Sequence, residues 1–416
     1  MYRAIPVNKS HIDFFSNLDE FYDVNYWRRP GLLHRAIDFV INPKDRTSFL
    51  RDADKRGVYL TTIIDDVQSA FDKQTVKSYI RRQMDSFDWS DYFRLNDIYN
   101  WLKDLEKKHP EAVKLERIGL SHQNRSIIAV KILLNKNKDQ RPRVIIEGGI
   151  HAREWIGPAF VTYLINQILH ADSYKDKLLK TVANFYEWYF VPVLNVDGYE
   201  YTHTDDRLWR KNRNGQGVDL NRNFGHAFGA VGVSWKMKDE LYCGNRAFSE
   251  KESKAMADFI KSKSENLRYY VAFHSYGQYM ILPYANSKKH VENYDEMYGI
   301  CKRVAKKIAV KYNTRYDIGT AFDTVGYLSS GVSGCWVKNT FKVPYVVTFE
   351  LRDNGYAGFA LPPKKILPTC KETMDGVLEL FNPYKDKDTD SNVAQECIYK
   401  TTWKEIMLII CIVLLY

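Results

Sequence analysis

Four apolar runs limit the fold of this chain more than anything else in it: Val144 to Ile150, Phe190 to Leu194, Tyr269 to Phe273 and Tyr345 to Phe349. Each is short, as a strand buried on both faces should be, and each leads into a polar residue able to do chemistry. Those residues are His151, then Asn195 and Asp197, then His274, then Glu350. Between the runs lie amphipathic helices, one from Trp155 to His170 with Trp155, Ile156, Ala159, Phe160, Tyr163 and Leu164 turned inward, another opened by Ser249 and Glu252. Strands alternating with helices predict an α/β domain with a mainly parallel sheet, whose site lies outside the carboxyl ends of its strands. On that topology His151, Glu154, His274 and Glu350 converge.

The remainder divides around this core. Residues 1–75 read as a small α+β unit: a strand from Tyr2, a helix opened by Ser10 with Asp13 and faced by Ile12, Phe15, Leu18 and Phe21, then the alternation Ile37, Phe39, Ile41. A helix from Thr47 to Lys55 stopped by Gly57, a strand from Val58 to Ile64 and a helix from Asp65 to Gln74 complete it. A polar connector over residues 76–87 follows, and its Arg81-Arg82 pair offers a trypsin-like protease a place to cut. Residues 88–383 are read as the large domain, starting with a helix through Leu95, Ile98, Leu102 and Leu105 that Pro110 ends. Residues 384–416 form a polar tail with an apolar end.

Net charge of +10 raises the question of nucleic acid, but Lys and Arg are spread along the chain without a basic block, so no nucleic-acid partner is expected. The six cysteines contain no Cys-x-x-Cys pair and form neither a zinc knuckle nor a redox motif. No apolar run is long enough to span a bilayer; that from Ile406 to Tyr416 is an interfacial or lipid-anchor candidate only.

Two imidazoles and a carboxylate leave a tetrahedral zinc with an open position, the mark of a hydrolytic rather than a structural site. Water held there ionises near pH ~7, and a neighbouring carboxylate such as Glu350 can take its proton. Alone, a His-x-x-Glu pair arises often by chance; its position after a strand and the paired glycines Gly148-Gly149 make His151 and Glu154 the stronger case. Two loops, Arg207-Leu208-Trp209-Arg210-Lys211 and Asp219-Leu220-Asn221-Arg222-Asn223, carry arginine beside aromatic or amide groups, which suits an anionic ligand group.

These motifs, with His151-Ala152-Arg153-Glu154-Trp155-Ile156, His274-Ser275-Tyr276, Tyr327 and Thr348-Phe349-Glu350-Leu351-Arg352-Asp353, resemble the zinc metallocarboxypeptidases of the pancreatic A/B type in order and approximate spacing. The segment around Asp65-Asp66-Val67-Gln68 resembles their inhibitory pro-domain. The resemblance implies a carboxypeptidase-like α/β fold, with a mixed, mainly parallel central sheet flanked by helices and preceded by a small α+β antiparallel pro-domain. It implies one Zn2+ held by His151, Glu154 and His274, Asp219 supporting a ligand histidine, Glu350 as general base and Arg210 as the group that holds the oxyanion. Asn221, Arg222 and Tyr327 would bind the free terminal carboxylate of a peptide or protein substrate, Arg153 and Tyr276 would line the other side of the bond, and Phe359 would pack nearby. A secreted monomeric zymogen, activated by a trypsin-like protease near Arg81-Arg82, is the expectation that follows.

The chain departs from this pattern in three places. Gly334 stands where relatives carry a branched apolar residue or an aspartate at the base of the side-chain pocket, so neutral apolar or aromatic C-terminal residues are expected, because a buried cation would find no partner. An inward Asp323 would reverse that preference. Positions where relatives carry disulfide partners hold Gly148 and Val161, so no pairing is assigned, and the chain starts at the pro-domain's first strand without a secretory signal, as a truncated or internal start would leave it.

Overall fold

The computed structural model describes residues 1–74, 87–135 and 141–384. The expected Arg81-Arg82 cleavage site, the connector around it and the tail from residue 385 lie outside the described residues.

The first unit is a four-stranded antiparallel sheet in the order β2-β3-β1-β4, made of β1 (Tyr2–Ala4), β2 (Val24–Arg28), β3 (Ile37–Ile41) and β4 (Leu60–Thr62). Helices α1 (Lys9–Ser16) and α2 (Arg46–Lys55) cover one face, where Phe15 and Phe49 pack on Phe39; α3 (Val67–Asp72) closes the unit. The alternation in β3 sorts its residues as expected: Ile37, Phe39 and Ile41 face the helices, while Asp38 turns the other way and bonds Tyr276 of the large domain. Helix α1 begins earlier than Ser10 because Asn8 accepts from the His11 amide and caps it, and Phe21 is exposed rather than inward. Gly57 follows α2 in the left-handed region that ends helices.

The second unit is an eight-stranded sheet in the order β11-β10-β12-β9-β7-β8-β6-β5. Its strands are β5 (Val113–Leu120), β6 (Ser126–Ile132), β7 (Arg143–Gly148), β8 (Glu187–Val191), β9 (Leu267–Ser275), β10 (Tyr279–Ile281), β11 (Asp317–Gly319) and β12 (Tyr345–Leu351). Three of the four apolar runs fall on β7, β9 and β12, and β8 starts earlier than the fourth and ends inside it at Val191; the four strands are neighbours in the sheet and all parallel. Antiparallel pairing enters only at β5, β6 and β10, so the sheet is mixed and mainly parallel.

Helices lie on both faces of this sheet, in chain order α4 (Leu95–Lys108), α5 (Ile156–Leu169), α6 (Lys177–Phe185), α7 (Val196–Thr204), α8 (Lys251–Lys263), α9 (Tyr294–Tyr312), α10 (Ala321–Thr324), α11 (Ser333–Phe341) and α12 (Ile366–Leu380). Phe160 of α5 packs on Phe273, and Phe381 after α12 packs on Trp188 and Tyr269, which fixes one face. Phe259 of α8 packs on Tyr189, and the start of α11 lies over Tyr270 and Val346, which fixes the other. The core between the layers is fully buried at Val144, Ile146, Phe190, Val271 and Phe349. Among the described residues no helix is long and apolar enough to cross a membrane.

Candidate metal centre and substrate cleft

His151 leaves β7 through a turn that requires glycine. A Cβ on Gly148 would stand 2.8 Å from the Pro192 carbonyl oxygen, and Gly149 has a φ of +63° with Val193 Cα 3.1 Å from where its Cβ would be. The turn delivers His151 and, one helical step on, Glu154 to the end of β9, where His274 waits. Glu350 comes from β12, directly opposite His274 in the parallel register.

Both imidazoles present Nδ1 to one point. His274 Nδ1 lies 3.2 Å from His151 Nδ1, and the Glu154 carboxylate lies 2.8 Å from the His151 ring and 3.1 Å from the His274 ring. One ligand atom from each of the three fits within 4.8 Å of the others, and all three side chains are buried. Two ring nitrogens and a carboxylate facing each other out of water are suited to hold a cation between them, and two imidazoles with one carboxylate are a donor set of catalytic zinc. On the far side of His151, Nε2 meets Asp219 Oδ1 at 3.2 Å, which fixes the ring and leaves Nδ1 free for the metal. Zinc at about a hundred times its Kd is expected to stabilise the metal-free protein by about 2.7 kcal/mol. A rise in melting temperature on adding zinc, reversed by a chelator, checks this; an unchanged transition contradicts the site.

Electrostatics sort the acids of the cleft. Burial pushes the Glu350 carboxyl up to about 8, with the Glu154 charge adding to the rise and His274 and Arg210 opposing it. Burial works in the same direction on Asp219, yet the guanidinium groups of Arg210 and Arg222 outweigh it and hold Asp219 well below the usual range. Arg210 donates from Nε and Nη2 to Asp219 Oδ2 at 3.1 and 2.9 Å, and its Nη1 lies 3.6 Å from Glu154. It therefore borders the metal trio.

The cleft is a cavity of about 390 Å³ whose wall includes His151, Glu154, His274, Arg210, Asn221, Arg222, Tyr327 and Glu350. Arg222 is buried and oriented by the Gly232 and Asn221 carbonyls, while Asn221 accepts from the Ser333 amide. The same cavity is also lined by Ile281, Ala285, Ala321, Val332 and Thr348. Gly334 lies behind that lining, with Val346 3.1 Å from where its Cβ would project. Asp323 does not enter: it caps α10 through Thr320 and lies 3.6 Å from His290, half exposed.

The small antiparallel unit closes the cleft from the other side, and Tyr26, Trp27, Arg28 and Arg29 of β2 and its exit line the same cavity. Arg153 pairs with Glu240 at 2.7 Å, donates to the Tyr26 carbonyl and stacks over Phe359. Tyr276 donates to Asp38, and Trp27 packs against both Tyr276 and Phe359. Every residue expected to line the far side of the bond is thus covered by the first unit.

Some expected site residues are elsewhere. Asn195 caps α7 and donates to the carbonyls of Ile150 and Lys211, so it shapes the loops without reaching the cleft. Asp197 pairs with Arg125, Arg207 stacks on Trp155 and bonds main-chain carbonyls, and Lys211 bonds the Met237 and Asp239 carbonyls. Among the buried polar residues to which the sequence assigned no role are Glu147 and the Tyr270 that donates to it. Their only sequence signal was a glutamate inside a run otherwise fit for a strand core. Cys243, Cys301, Cys335 and Cys370 are buried and pair with one another nowhere among the described residues.

Comparison with known proteins agrees with this geometry. Residues 98–376 match the family described as "Zinc carboxypeptidase", and residues 2–74 match the "Carboxypeptidase activation peptide". Zinc carboxypeptidase A 1 of Anopheles gambiae is 35% identical over 389 residues, covering 92% of this chain and 88% of the relative. Carboxypeptidase B of Rattus norvegicus is 32% identical, covering 92% of each. The crystal structure of thrombin activatable fibrinolysis inhibitor superimposes with a TM-score of 0.85 at 29% identity, over 91% of this chain and 97% of that one.

Proposed function

Because this chain belongs to the zinc carboxypeptidase family and carries that family's activation peptide, we propose that it is a zymogen whose mature form removes the C-terminal residue of peptides and prefers neutral, apolar or aromatic ends. The observation that carries the exopeptidase reading is the buried Arg222 beside Asn221 and Tyr327 in the wall of the cavity that holds the metal trio. A buried guanidinium there suits a carboxylate that arrives with the substrate, and the main-chain terminus is the carboxylate that every peptide brings whatever its side chains.

Zinc held by His151, Glu154 and His274 would act as a Lewis acid and lower the pKa of an attacking water toward neutrality. Glu350, raised by burial, takes the proton from that water and returns it to the leaving amine. Arg210, next to the trio, donates to the oxygen of the scissile carbonyl as charge develops on it. Asp219 holds the His151 ring, and Arg153, Tyr276 and Phe359 receive the residues before the scissile bond once the first unit has left. The preference for neutral ends rests on the small, uncharged lining of Ala285, Ala321 and Thr348 and on the outward Asp323. A desolvated lysine or arginine would meet no counter-charge there.

On this reading residues 1–75 are the inhibitory pro-domain, residues 76–87 the connector cut near Arg81-Arg82, and residues 88–383 the catalytic domain. The protein acts outside the cell as a monomer, and any membrane attachment would come from the tail over residues 384–416. The test is a panel of N-blocked dipeptides after trypsin treatment. Turnover is expected on Phe and Leu ends, with Lys and Arg ends much slower, and none on the C-terminal amides. Faster release of Lys or Arg would reverse the preference, and equal cleavage of acid and amide would remove Arg222 from its role.

A further inference from the structure

Each imidazole of the metal trio has a second nitrogen, and the two are treated differently. His151 Nε2 has Asp219 at 3.2 Å. His274 Nε2 is buried and has no hydrogen-bond partner. A buried ring N–H without an acceptor costs stability and leaves the ring free to turn, so something should answer it.

The parallel register points to Glu147. It pairs with Ala272, and Ala272 pairs with Thr348, so Glu147 shares a sheet face with Tyr270, Ala272 and His274 on β9 and with Val346, Thr348 and Glu350 on β12. Ala272, the residue flanked by Tyr270 and His274 on that face, is the smallest, which leaves room above it for the longer side chain from β7. The Glu147 carboxylate is fully buried: Oε2 accepts from the Tyr270 hydroxyl, and Oε1 is the second orphaned atom on this face. Ser333, at the start of α11, lies close enough to the same carboxyl to pull its pKa down.

We propose that Glu147 is the outer partner of His274 through one internal water, so that each imidazole of the trio is oriented by its own buried carboxylate. The water would accept from His274 Nε2 and donate to Glu147 Oε1, with the Ser333 hydroxyl as a third partner, the coordination usual for buried water. The Tyr270 hydroxyl holds the carboxylate from its other oxygen. Glu147 is a positioning residue: it touches neither substrate nor metal. The inference rests on the metal reading of His151, Glu154 and His274.

Zinc affinity of the full-length chain, measured by competition with a chromophoric chelator, tests it. Glu147→Gln keeps the shape and removes the charge, and should weaken zinc binding on the order of tenfold to a hundredfold, with the melting temperature of the zinc-free protein unchanged or raised. Glu147→Asp, which keeps the carboxylate, should recover most of the loss. In the cobalt-substituted protein the visible absorption bands of Glu147→Gln should shift from those of the parent. Parent-like affinity in Glu147→Gln, equal losses in the Gln and Asp variants, or unshifted cobalt bands would each overturn the proposal. Failure of the parent chain itself to bind zinc would instead overturn the metal reading.

Discussion

Glu350→Gln is expected to lower kcat of the trypsin-treated protein by at least ~10², the scale of a lost general base, with zinc still bound and KM little changed. The substitution preserves volume and most of the packing in β12, where Glu350 is opposite His274. What it removes is a carboxylate that burial has pushed up to about 8, into the range where one group can both take a proton and give it back near neutral pH. Stopped turnover with parent-like zinc content supports the role. Near-normal kcat would remove Glu350 from it, and loss of zinc would reassign Glu350 to the metal.

Arg210→Met should cost about 10²–10³ in kcat, or ~3 kcal/mol, as loss of an oxyanion donor does. The guanidinium lies 3.6 Å from Glu154 and is anchored by two bonds to Asp219, so it is held in place before substrate arrives. Preorganised charge of this kind contributes chiefly in the transition state, which places the loss on kcat rather than on KM. Asp219 keeps His151 and Arg222 as partners in the variant, so zinc affinity should fall far less than turnover. A loss confined to KM would mean that Arg210 binds the ground state instead.

The sequence made the centre of the sheet readable because its strands are buried on both faces: β7, β9 and β12 stand out as largely apolar runs, and the polar residue at the end of each marks the site. The edge was harder. β5 alternates buried and exposed residues irregularly, with Lys114, Glu116 and Arg117 facing solvent, while β6 is apolar at Ile127, Ile128, Ala129, Val130 and Ile132 but leads into no residue that marks the site. β2 was hidden for a related reason, since Trp27 and Arg28 meet the cleft rather than their own unit's core. Helix starts shifted: the Asn8 side chain caps α1 in place of Ser10, and α8 begins after Glu250, which makes no side-chain cap, rather than at Ser249. The metal trio could be read from three residues and a topology. Glu147 could not, because its meaning depends on Ala272 and Tyr270 lying beside it, and strand register is a property of the folded sheet.

Closure of the cleft by the first unit was an expectation drawn from resemblance, and the contacts give it a physical form. Asp38, which alternation turns away from its own core, accepts from Tyr276 and from Arg3, and Arg153 is held by the Tyr26 carbonyl and Glu240. Removing residues 1–75 would expose Arg153, Tyr276 and Phe359 together, which is why activity should appear only after cleavage.

One measurement tests the central claim most directly. An N-blocked peptide with a free C-terminus, ending in Phe, is incubated with the full chain before and after trypsin treatment and followed by mass spectrometry. The single terminal residue should be lost after trypsin treatment only, and nothing should be lost when a zinc chelator is present. Cleavage at an internal bond, release that survives the chelator, or an unchanged peptide after confirmed removal of the first unit would contradict that claim.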